Sequence, residues 1–176
     1  MRFPRFQRLG LFSLTASLSL FAAPTMLKSC VPPAQPATVA VSVTVGAPQA
    51  VTAELVALVN NERTSRGLAP VAVNDMLTRA AEAHSTEQAT RSMMTHTGAN
   101  GSSPGDRIAA QGYSASAWAE NVAAGQPDCG SVMGAWMNSA GHRTNILNPG
   151  LQEIGVAVVA KADGTRYWTM DLATRG

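Results

Sequence analysis

From Val51 onward, apolar residues return at steps of three and four: Val51, Leu55, Leu58 and Val59 share one face. That spacing predicts an amphipathic helix, and Arg66-Gly67 supplies a glycine C-cap signal to end it. A second run, Met76, Leu77, Ala80, Ala81, His84 and Gln88, repeats the spacing behind Asn74, a residue suited to cap a first turn. It predicts a helix to about Arg91 with His84 turned inward. A polar, glycine-rich loop from His96 to Gly105 comes next, then a short helix from about Asp106 to Gln111 closed by Gly112, and a strand from Ala117 to Ala124. Asp128 to Ser139 reads as a fourth helix presenting Val132, Met133, Trp136 and Met137 to a core. It stops at Ala140-Gly141, which puts His142 at a helix end. The last stretch is β: Ile154 to Ala160, a turn at Asp163-Gly164, and Thr165 to Ala173 form a hairpin. Helices come first and strands mostly last, unlike the alternation of a doubly wound sheet. The expected class is therefore α+β, with helices stacked on a small antiparallel sheet.

The amino-terminal stretch has a different pattern. Arg2, Arg5 and Arg8 precede an uncharged run from Leu9 to Leu27, and the first acid of the 176 residues is Glu54. A basic start followed by an apolar stretch of this length predicts an export signal over residues 1–30; Ser and Thr dilute the stretch and Pro24 interrupts it, which makes a retained membrane anchor the weaker reading. Two processing sites compete, the small residues Ala22-Ala23 and the lipobox-like Leu27-Lys28-Ser29-Cys30. Cys30 is thus a candidate for lipidation, for a disulfide with Cys129, or for a free thiol. Residues 31–50 hold Pro32, Pro33, Pro36 and Pro48 and no charge, the makeup of an extended spacer. Within them Val39, Val41, Val43 and Val45 alternate with Ala40, Ser42 and Thr44; this period of two also suits an edge strand, but no partner run lies nearby. The domain is expected over residues 51–176.

Charge narrows the partners. Residues 1–30 contain four basic residues and no acid, so the remainder carries nine basic against eleven acidic residues, a formal charge of −2. No basic patch for nucleic acid follows from that balance, and anionic membrane surfaces are disfavoured except through a lipid anchor.

The candidate chemistry lies in His84, His96, His142, Glu120 and Glu153. Two imidazoles and a carboxylate from separate elements can hold zinc with an open position for water; they can equally satisfy one another in a buried network. His84, on an apolar helix face, reads as a core histidine, and Glu153 as a solvated turn acid. Gly101-Ser-Ser103-Pro-Gly105 has the letters of a nucleophile elbow, but a loop precedes it where the motif needs a buried strand.

Several linked motifs resemble the CAP superfamily of cysteine-rich secretory, antigen 5 and pathogenesis-related proteins, in its bacterial secreted branch. They are Glu120-Asn121-Val122-Ala123-x-Gly125, Trp136-Met-Asn-Ser139-x-Gly141-His142-Arg143-x-Asn145, and Glu153-Ile154-Gly155-Val156. Leu58-Val-Asn60-x-x-Arg63, Gly67-Leu-x-Pro70, Ala83-His-Ser85 and His96-x-Gly98 fit in order. The resemblance implies an α-β-α sandwich with helices on both faces of a small sheet and a cleft built from two His and two Glu. His96, Glu120 and His142 match three of those positions, and the second Glu falls on Ser139. It further implies a divalent metal, zinc, held by His96 and His142, with no cofactor strictly required. Two functions follow as expectations. One is an exported, non-enzymatic binder of a lipid, small-molecule or protein ligand through this cleft, in the extracellular space or cell envelope. The other is a metal-dependent, peptidase-like hydrolase with Glu120 as its base.

Overall fold

The computed structural model describes residues 48–176. The expected leader, Cys30 and nearly all of the spacer lie outside the described residues. The elements run α1 (Pro48–Thr64), β1 (Ala72–Val73), α2 (Asp75–Arg91), α3 (Pro104–Ala110), β2 (Ala115–Ala124), α4 (Cys129–Asn138), α5 (Ala140–Ile146), β3 (Glu153–Ala160) and β4 (Arg166–Arg175). Helix α1 starts three residues before the expected Val51, at a proline whose missing N–H costs nothing in a first turn. Asn74 caps α2 as its position predicted, its Oδ1 accepting from the N–H groups of Met76 (2.9 Å) and Leu77 (3.4 Å).

The strands order as β1-β3-β4-β2. β3 and β4 form the expected hairpin, with Gly164 at φ 85° in its turn, and β2 pairs antiparallel to β4. One pair departs from an all-antiparallel sheet: β1 runs parallel to β3 through Ala72↔Glu153 and Val73↔Ile154. Two residues are too few to show a period, and their pairing is decided by where α1 and α2 leave them.

Alternation along β4 divides the layers. Trp168, Met170 and Leu172 pack with Leu55 and Val59 of α1, Val132 and Trp136 of α4 and Ile146 of α5. On the opposite face Ala173 packs with Leu77 and Ala80 of α2 and Ile108 of α3, and Thr169 bonds to Ser85 and Gln88. Helices thus cover both faces of a four-stranded sheet, the α-β-α sandwich. Gly155 sets the spacing of one layer, because a Cβ there would lie 2.1 Å from the backbone of Leu77 and Thr78. No other residue lets α2 rest so low on β3.

Two local expectations are corrected, and Ser103 takes a role in keeping with its loop context. Helix α4 ends at Asn138, within a residue of the expected Ser139, but after the extended backbone of Ser139 (φ −96°, ψ 122°) an unexpected further helix, α5, begins, and His142 lies in its first turn rather than at the end of α4. The break is tolerated because the Ser139 N–H donates to Trp136 O (3.1 Å) and the Arg143 guanidinium to Met137 O (2.8 Å), which satisfies carbonyls the helix end exposes. Glu153 is not a solvated acid. Half-buried, it accepts from Asn74 Nδ2 (2.9 Å) and the Tyr113 hydroxyl and faces Arg175. Burial raises its pKa, and those donors outweigh burial and hold it below the ordinary carboxylate value. Ser103, finally, is a helix cap: Ser103 and Asp106 form a capping box at α3.

Arg63, 1 % exposed at the end of α1, ties the layers together. Its guanidinium donates to four backbone carbonyls, Ala69 (2.8 Å), Ile146 (2.8 Å), Asn148 (2.9 Å) and Leu151 (3.0 Å). The turn after α1 and the loop after α5 are thereby held on one planar fork. Arg63→Met takes the guanidinium from four carbonyls, those of Ile146 and Leu151 buried, and urea unfolding is expected to show a loss of about 3 kcal/mol or more. A loss under about 1 kcal/mol would mean that solvent replaces the fork.

Candidate functional site

The site is assembled from β2, α3, α5 and the loop between α2 and α3. Glu120 and Asn121, adjacent on β2, point to opposite faces of the sheet. On the α2 and α3 face, Glu120 accepts from His96 Nδ1 at 2.8 Å through Oε1 and from Arg107 at 2.5 Å through Oε2. Its side chain is 1 % exposed, while that of His96 is 54 % exposed. On the other face, Asn121 Nδ2 donates to His142 O (3.1 Å), and Asn145 Nδ2 donates to Asn121 Oδ1 (2.9 Å). One dipeptide therefore places both histidines.

Arg107 was not visible as a site residue in the sequence. Its guanidinium also donates to His96 O and Ser102 O, both at 3.0 Å, so it fastens the His96 loop to the carboxylate that orients the His96 ring. The only signal was its place in a short helix close to a carboxylate destined for burial, which needs a cation. His84 is a core residue, as its helix face predicted. Its Nε2 bonds to Thr95 O at 2.7 Å and stands 3.9 Å from Glu120 Oε2, and Nδ1 has no partner among the described residues. Burial pushes its pKa down, outweighing the pull of Glu120, so the ring is neutral at pH 7.

A second acid, missed in the sequence, lies beside Glu120. Asp171 of β4 is its cross-strand neighbour, with Gly155 of β3 on the far side. Asp171 is 1 % exposed, and neither carboxyl oxygen has a partner among the described residues. Burial first, and then the charge of Glu120, raise its pKa well above the ordinary value, with Arg107 opposing. One guanidinium serves one carboxylate, and the other acid stays protonated. An acid inside the apolar run Trp168-Thr-Met-Asp-Leu-Ala173 was the available signal.

His142 is half-buried, and burial followed by the proximity of His96 lowers its pKa. A neutral imidazole there and the outward Nε2 of His96, with a carboxylate behind its Nδ1, are the donor types that divalent metals take. Glu120 is not a third ligand, since both oxygens are engaged, and no group of three His, Cys, Asp or Glu suited to a metal occurs among the described residues. That leaves two imidazoles, one protein ligand short of a catalytic zinc site. Ser139 joins α4 to α5 and makes no side-chain cap bond. Outside these groups opens a shallow cleft of about 380 Å³ lined by His96, Pro104, Trp118, Ala119, Glu120 and Asn145.

Residues 56–172 match the sequence model of the cysteine-rich secretory protein (CAP) family. The chain belongs to this family. A curated relative, the uncharacterized protein YkwD of Bacillus subtilis, is 38 % identical over 129 residues, which are 72 % of this chain and 49 % of the relative. The chain thus spans about half the length of that relative. Among solved CAP folds, an extracellular protein with an SCP domain from Bacillus anthracis superposes with a TM-score of 0.67 at 24 % identity, over 73 % of this chain and 41 % of that one. An outer surface protein of Borrelia burgdorferi superposes at 0.66 with 22 % identity, over 70 % of this chain and 92 % of that one. No described helix of this CAP domain is long and apolar enough to cross a membrane.

The protonated Asp171 gives a pH dependence with a definite sign. Above the ordinary value of 3.8 the unfolded chain has lost this proton and the folded chain keeps it, so stability falls as pH rises toward the raised pKa. Asp171→Asn removes that linkage. Its stability advantage over the parent, by urea unfolding, is expected to be small near pH 4 and to grow by more than about 1 kcal/mol toward pH 8; a constant difference would mean Asp171 is ionised in the fold.

Proposed function

We propose that this CAP protein is exported and that its His/Glu cleft binds a lipid, small-molecule or protein ligand without turning it over. The state of Glu120 carries the reading. A general base needs a lone pair within reach of the substrate proton, and here one oxygen is held by His96 and the other by Arg107 on a carboxylate that is 1 % exposed. Where the family resemblance calls for a second carboxylate, the chain has Ser139. What faces outward is a recognition surface: the His96 ring, the 45 % exposed Trp118 and Asn145. If a divalent ion takes part, His96 and His142 hold it, and it would supply a positive centre for an anionic or carbonyl group of the ligand.

Export rests on the leader pattern of residues 1–30, with residues 31–47 as spacer before α1 and Cys30 as a candidate for lipidation. Mass spectrometry of the mature chain is expected to show an amino terminus at or before Cys30; an intact Met1 in exported material would refute the cleaved leader.

Casein and purified cell wall, incubated with the chain with and without Zn²⁺, are expected to remain intact. A turnover that disappears in Glu120→Gln would overturn the reading. Zn²⁺ titrated by calorimetry into chelator-treated chain is expected to bind through the two imidazoles and to lose that heat in His142→Ala. Equal heats would place the ion elsewhere.

A further inference from the structure

The two edges of the sheet are finished differently. At the β2 edge, Trp136 Nε1 donates to Val122 O (3.2 Å) and Asn145 Nδ2 to Glu120 O (3.3 Å), so side chains from α4 and α5 occupy outward carbonyls. At the β3 edge, β1 covers only Glu153 and Ile154. Beyond them the Thr52 hydroxyl donates to Val156 O (3.4 Å), and no described strand pairs with the outer side of the stretch from Val156 to Ala160. An open ladder of this kind is a template for another strand, and proteins rarely leave one uncovered.

The space beside this edge is shaped for a strand. A groove of about 270 Å³ follows β3 between α1 and α2. Its α1 side is mostly apolar, from Val51, Val156 and Val158 with Thr52, and its α2 side is mixed, with Glu82 and Thr86 beside Ala157 and Val159. An occupant lying in register would need apolar residues on one face and small or polar ones on the other, with β-branched residues favoured.

We propose that the run Val39–Val45 of this same chain docks in the groove as an added strand, antiparallel to β3. Its valines, Val39, Val41, Val43 and Val45, suit the more apolar α1 wall, while the small Ala40, Ser42 and Thr44 suit the mixed wall that carries Glu82 and Thr86. Chain length agrees. Only Gly46 and Ala47 separate Val45 from Pro48, the first residue of α1, and the Thr52 bond to Val156 puts the start of α1 at this edge. The sequence alone offered the run no partner; β3 is that partner, brought from more than a hundred residues away by the fold. Docking of this strand does not depend on what the His/Glu cleft binds.

Amide hydrogen exchange on the full chain tests it, with Val41→Pro/Val43→Pro and Ser42→Pro/Thr44→Pro as full-chain variants. In a paired edge strand every second N–H faces the neighbour, and proline is tolerated only where the N–H faces away. The Val158 and Ala160 amides are expected to be protected in the parent and to exchange roughly tenfold or more faster in one proline pair than in the other, with Met170 in the central strand unchanged. Equal rates in the parent and both variants would overturn the proposal. So would protection that persists in both variants and rises with protein concentration, since a second copy would then cover the edge.

Discussion

The height of α2 above the sheet is the constraint on which the site depends. Gly155 has no side chain to hold the helix off, and the backbone of Leu77 and Thr78 descends onto β3 at that point. Further along the same helix, His84 is carried to within 3.9 Å of Glu120, and Ser85 and Gln88 reach Thr169 on β4. The row Gly155, Asp171, Glu120 across three strands is therefore roofed by a helix with no room for solvent, which makes its two acids so unequal. Arg107 compensates Glu120. Asp171, pressed under α2, keeps its proton because a second buried charge would cost several kcal/mol.

Glu120 and Asn121 illustrate how a strand serves two layers at once. Their side chains leave the sheet in opposite directions, one to orient the His96 ring, the other to hold the backbone of His142. The cleft is thus built from a rigid element rather than from its loops, and its polar groups satisfy each other before any ligand arrives. Such preorganisation suits recognition. The CAP fold hosts it without dictating what is recognised, since function resides in the site and not in the architecture.

The same economy appears in the frame. Arg63 uses one guanidinium to satisfy four carbonyls of two irregular segments, where a hydrophobic residue would have filled the space and left those groups unpaired. Cys129, buried at the start of α4 and without a disulfide partner among the described residues, behaves as a core residue: burial first, and then Glu54, push its pKa up to about 11, against a reactive thiolate.

The sequence by itself determined the elements with a clear period or cap: α1, α2 behind Asn74, the β3–β4 hairpin and the inward turn of His84. Its motifs named the family, and with it the layered fold and the positions of His96, Glu120 and His142. Local periodicity could not reveal β1, too short to repeat, or α5, whose seven residues are too few to show an amphipathic period. Nor could it show Arg107, Asp171 and Glu153 in their actual roles, because a charged residue is solvated or buried according to what packs over it. Those roles were decided only when α2 settled on Gly155 and α3 swung Arg107 under the His96 loop: burial and partner choice are properties of contacts between distant segments, and no window along the chain contains them.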